Sequence, residues 1–81
     1  MNFLKLYCHP VDADAGAQPI ECAEVSIQAS PEVLRAIAQF LIHSAEGIEE
    51  RPAVEFLHFH FSDIWKSWDG KFPDLIAISP A

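Results

Sequence analysis

Glycine is scarce in this chain, with three in 81 residues, and so is positive charge, with five lysines and arginines against twelve aspartates and glutamates. The first shortage, beside a hydrophobic fraction of 51%, excludes a disordered tail or a low-complexity linker. The second leaves a net charge of −7, which repels phosphate backbones and anionic membranes at long range. Nucleic acid and membrane are therefore disfavoured as partners, and a basic protein is favoured. No apolar run approaches the roughly 20 residues that span a bilayer. The start MNFLKLYCHP carries one lysine and no small-residue cleavage site, so it does not look like a signal peptide and a cytoplasmic location is expected.

A chain this short buries only about 60% of its unfolded surface and cannot support two cores, so a single domain over residues 1–81 is expected. Cysteine is nearly absent too. Cys8 and Cys22 could close a disulfide, but strand parity, set out next, turns them to opposite faces, and two reduced thiols are the expected state in a chain without a secretion signal.

What is present is alternation and one helical arc. In NFLKLYC, residues 2–8, Leu4, Leu6 and Cys8 share one face, and Phe3, Lys5 and Tyr7 the other, as in a half-buried strand. Residues 9–21, HPVDADAGAQPIE, carry loop chemistry and read as a long, mobile connection. CAEVSIQA, residues 22–29, alternates again, with Ala23, Val25 and Ile27 inward. An antiparallel pairing then sets Leu6 opposite Val25 and Cys8 opposite Ala23, which leaves Cys22 facing away from Cys8.

Ser30-Pro31-Glu32 is a helix start: a hydroxyl to accept free amide hydrogens, a proline suited to the first helical position, and an acid at the positive dipole end. The helix is predicted to reach about Glu46, with Gly47 ending it and Ile48 folding back on Ile42. Its apolar residues Val33, Leu34, Ile37, Ala38, Phe40, Leu41, Ile42 and Ala45 form one arc of about half the circumference, interrupted only by Ser44. A helix resting on one sheet needs a stripe of only ~100°, so something else is expected to cover the flank. VEFLHFHF, residues 54–61, is the strongest strand signal, and DLIAIS, residues 74–79, follows the turn signals Asp69-Gly70 and Phe72-Pro73. The predicted fold is α+β: a two-layer sandwich of a four-stranded, mostly antiparallel sheet and one amphipathic helix, in the order β-β-α-β-β.

Candidate site residues follow from parity. Leu57, Phe59 and Phe61 face the helix, so Phe56, His58 and His60 project from the open sheet face, with Phe3, Tyr7 and Leu75 as candidate neighbours. Such an apolar-aromatic surface is either covered by the C-terminal segment or binds another chain, a second copy or a different protein. Trp65 and Trp68 sit in SDIWKSWDG between Asp63 and Asp69; tryptophans suit binding hot spots and the acids suit a basic partner. The competing reading has the rings capping the core, and one structural and one exposed ring are expected. Two imidazoles at His58 and His60 fit one metal ion, yet no motif supplies a third ligand, so no metal site and no cofactor are expected. The acidic start of residues 12–16 lacks the closing glutamate of a calcium loop. Ser62, His60 and Asp63 hold the atoms of a triad at a sequence separation that rarely gives its geometry, and no catalytic residue is assigned.

The run SPEVLRAIAQFLIHSAEGIE, the strand VEFLHFHF, the segment SDIWKSWDG and the ending PDLIAISP together resemble the small bacterial immunity proteins of polymorphic toxin systems, in particular the immunity protein 32 family, over residues 22–80. The resemblance implies a cytoplasmic, non-enzymatic α+β protein that binds and neutralises a cognate toxin. Its matching positions here include Trp65 or Trp68 and Asp74-Leu75-Ile76. The acidic balance fits an inhibitor of a basic toxin.

Overall fold

The computed structural model describes residues 2–10 and 21–81. They form β1 (Leu4–Pro10), β2 (Cys22–Ala29), α1 (Pro31–Glu50), β3 (His58–His60), the single-turn α2 (Phe61–Ile64) and β4 (Ile76–Ile78). The class is α+β with one main helix. The strands pair antiparallel as β1 with β2 and β3 with β4, giving two two-stranded sheets; among the described residues no ladder joins the pairs into one. The central part of the expected connection, residues 11–20, including the acidic stretch compared with a calcium loop, lies outside the described residues.

β1 and β2 keep the expected parity, but the register is displaced by two residues. Leu6 opposes Ile27 and Cys8 opposes Val25. A bulge follows between His9 and Pro10, so that Pro10 opposes Cys22 rather than Ala23. One extra residue on β2 inverts its parity beyond that point. Cys22 then falls at the register position beside Pro10, two residues from Cys8 and on the same face as Cys8. The two cysteines are joined in a disulfide, with their Cα atoms 5.9 Å apart. The expected pair of free thiols is thus corrected, because the parity argument assumed an unbroken ladder.

α1 begins where Pro31 predicts and runs four residues beyond Glu46, to Glu50. Ser30 occupies the N-cap but does not cap with its hydroxyl. Instead its Oγ accepts the Phe3 amide hydrogen at 3.3 Å and its own amide donates to the Phe3 carbonyl at 3.1 Å, which ties the start of the helix to the start of β1. Gly47 stays helical and no described glycine has a positive φ, so it is not the terminator. Its role is clearance: the Phe59 ring lies directly over it, in the space a side-chain Cβ would need.

The core consists of Leu4, Val33, Ile37, Phe40 and Phe61. Of the broad helical arc, Val33, Ile37, Phe40 and Ser44 are buried, one residue every three or four on a single face. Ser44 is accommodated because its hydroxyl donates to the Phe40 carbonyl one turn back at 2.8 Å. The neighbouring stripe of Leu34, Ala38, Leu41, Ile42 and Ala45 is exposed.

The strand expected over 54–61 is shorter as a regular ladder, and residues 52–56 form turns. The pairing nevertheless continues past β3: Phe61 N–H donates to the Leu75 carbonyl at 2.8 Å and Ser79 N–H to the Leu57 carbonyl at 2.8 Å. At Phe56 the chain adopts φ 53, a left-handed conformation that is costly for a bulky side chain, and its amide donates to the Ala81 carbonyl at 2.9 Å.

Candidate functional site

The β3–β4 ladder decides which side chains can meet a partner. Phe59 opposes Ala77, while His58 opposes Ile78 and His60 opposes Ile76. Opposed residues share a face. Phe59 and Ala77 pack on the core, and so does Leu75, which corrects its candidacy for the open face. The outer face carries His58, His60, Ile76 and Ile78. The two isoleucines were missed although the ladder that pairs them with the histidines could have been extended from VEFLHFHF to DLIAIS once a register was chosen. Phe56 lies in the turn before β3, outside the ladder, with 66% of its surface exposed. Tyr7 lies in β1 of the other strand pair, and Phe3 immediately precedes that strand.

The two histidines are oriented by different neighbours. The His58 Nδ1–H donates to the Phe56 carbonyl at 3.3 Å and the His60 Nδ1–H donates to Asp74 Oδ2 at 2.9 Å; a carbonyl and a carboxylate only accept, which sets the proton on Nδ1 in both rings. The rings meet edge to face with centroids 5.3 Å apart. Among the described residues, no three histidines, cysteines or acids are grouped to hold a metal ion.

Asp74 is the polar centre of this region. Its Oδ1 accepts from the amides of Ser62 at 2.9 Å and Leu75 at 2.8 Å, and its Oδ2 accepts from the Ser62 hydroxyl at 2.9 Å as well as from His60. Partial burial pushes the carboxyl upward, but the hydrogen bonds from His60, Ser62 and Leu75 outweigh it and hold Asp74 below the usual carboxylate range. One carboxylate therefore joins β3, the first turn of α2 and the approach to β4. The Ser62 hydroxyl points at this carboxylate and not at the imidazole, so the serine is not placed as a nucleophile activated by His60. Clefts of ≈ 200 and ≈ 300 Å³ lie near the C-terminal end of α1, and neither is lined by His60, Ser62 or Asp74.

Trp65 and Trp68 are both half-buried and both pack on the core; neither is the exposed ring expected for one of them. Trp65 stacks on Phe61 at 5.2 Å and 10°, with Phe72 tilted against its ring at 5.8 Å. The Trp68 indole donates to the Pro73 carbonyl at 3.2 Å. The aspartates beside them are exposed. Asp69 Oδ1 accepts the Lys71 amide at 2.8 Å, the side-chain turn that Asp69-Gly70 predicts, while Asp63 lies in the first turn of α2.

This segment, α1, the β3–β4 ladder and most of β2 fall inside a single match: the family model of immunity protein 32 covers residues 24–79, with β1 before it. The chain belongs to the immunity protein 32 family. Comparison with curated proteins and with solved structures gave no match. An immunity protein 32 chain answers to a toxin, so membership implies a protein partner. No helix among the described residues is long and apolar enough to cross a membrane.

Proposed function

We propose that this immunity protein neutralises a cognate toxin by binding it, without catalysis and in the cytoplasm, through an open face centred on Phe56, His58 and His60. Family membership is the observation that carries the reading. Phe56 supports the choice of face, because a large ring is left 66% exposed on a left-handed backbone whose amide donates to Ala81 and whose carbonyl accepts from His58, an exposure that a partner's surface would relieve. Ile76 and Ile78 widen the apolar centre. Asp63 and Asp69, with the outward edges of Trp65 and Trp68, supply an acidic rim suited to a basic toxin, and the net charge of −7 speeds encounter with it.

The test is co-expression with the toxin encoded beside this chain, and titration of the purified pair. The protein should rescue growth, and Phe56→Ala should weaken the complex by about 2 kcal/mol, as for a central aromatic anchor. Equal killing with and without the protein overturns the reading. Unchanged affinity in Phe56→Ala and Ile78→Asp moves the contact to another face.

A further inference from the structure

The exposed apolar stripe of α1 is self-complementary, and we propose that it pairs antiparallel with the same stripe of a second copy, forming a two-fold dimer that leaves the β3–β4 face free. Leu34, Ala38, Leu41 and Ala45 recur at intervals of four, three and four, the spacing of a helix–helix seam. Leu41 is 50% exposed and Ile42, on its flank, 56%. In an antiparallel pair related by a two-fold axis between residues 39 and 40, Leu34 lies opposite Ala45 and Ala38 opposite Leu41. Every layer then sets a large side chain against a small one, on both copies at once.

Charge points to the same partner. Arg35 is the one lysine or arginine in α1 and stands near its N-terminus, while Glu46, Glu49 and Glu50 crowd its last turns, which hold no basic residue before the C-cap Arg51. Both placements oppose the helix dipole. Among the described residues none of these four groups has an ion-pair partner. An antiparallel second copy brings Arg35 and the positive helix end of each chain alongside the glutamates of the other. Arg35 and Glu49 flank the seam on the same side as Ile42, so the pairing needs no rearrangement of the buried side.

Sedimentation of the full chain, without toxin, tests this independently of the immunity reading. The wild type should sediment as a dimer at tens of micromolar. Leu41→Glu should be a monomer with unchanged helical content, and Phe56→Glu, on the sheet face, should remain a dimer. Arg35→Glu alone and Glu46→Lys/Glu49→Lys alone should each weaken the dimer roughly tenfold, since every charge reversal acts twice in a two-fold interface. Mixing the two charge variants should restore a dimer of wild-type strength. A monomeric wild type, a dimer indifferent to Leu41→Glu, dissociation by Phe56→Glu instead, or a mixture no tighter than its components would each overturn the proposal.

Discussion

The two strand pairs hold their places by opposite means. β1 and β2 are 7 and 8 residues long, yet among their described side chains only Leu4 is buried, with Leu6 and Ala29 packed against the core. Farther out, Val25 is 59% exposed on the nominally inner face, and the end of the ladder is closed by the Cys8–Cys22 disulfide. β3 and β4 are three residues each, but the turn that follows β3 inserts Phe61, and the carboxylate of Asp74 joins the surrounding backbone. Ladder length is therefore a poor guide to anchoring: side chains in the core and a satisfied polar centre anchor the short pair, while a covalent link holds the end of the long one.

The largest expected effect tests the short pair. Phe61→Ala removes a fully buried ring that packs on Phe40 at 5.5 Å and on Trp65, and should cost about 4 kcal/mol in denaturant unfolding; a loss below about 1 kcal/mol would mean that the short pair is not anchored by this ring. Next comes the long pair. The disulfide spans a sequence separation of 14, and loop-closure entropy assigns such a link about 3 kcal/mol. Reduction, or Cys8→Ser, should accelerate amide exchange in β1 and β2 while β3 and β4 keep their protection, and uniform loss across both pairs would erase the contrast between them. The smallest effect concerns the polar centre. Asp74→Asn should cost about 2 kcal/mol at neutral pH, because it disturbs hydrogen bonds to a charged acceptor. Since the folded carboxyl titrates below its unfolded value of about 3.9, its contribution is complete above that pH and is lost as pH falls through the folded value. Wild-type stability should therefore decline on acidification below about pH 4 through a component that Asp74→Asn lacks, which urea midpoints between neutral and acidic pH would reveal.

Much of the fold was legible in the chain. The start of α1 at Pro31, the inward facing of Phe59 and Phe61, and the turn at Asp69-Gly70 follow from local chemistry. The end of α1 did not. Gly47 looked like a terminator because glycine tolerates left-handed backbone, whereas it is needed to admit the Phe59 ring. For the candidate site, the orientation of His58 and His60 could be read from period-two alternation. Asp74 as a hub could not, because its partners His60 and Ser62 are 14 and 12 residues away and no local pattern announces such a meeting. The same limit applied to Trp65 and Trp68, whose spacing suited exposure and burial equally until Phe61 and Phe72 were placed around Trp65.

By itself, the sequence determined the acidic balance, the family, the α+β class and the apolar arc of α1, since composition, alternation and helical spacing are properties of neighbouring residues. Only the tertiary structure decided which half of that arc is buried, that a bulge turns Cys22 to the face of Cys8, and that the strands pair in twos. Those outcomes depend on register and on packing between residues far apart in the chain, where a shift of one position reverses a face and no local signal records the choice.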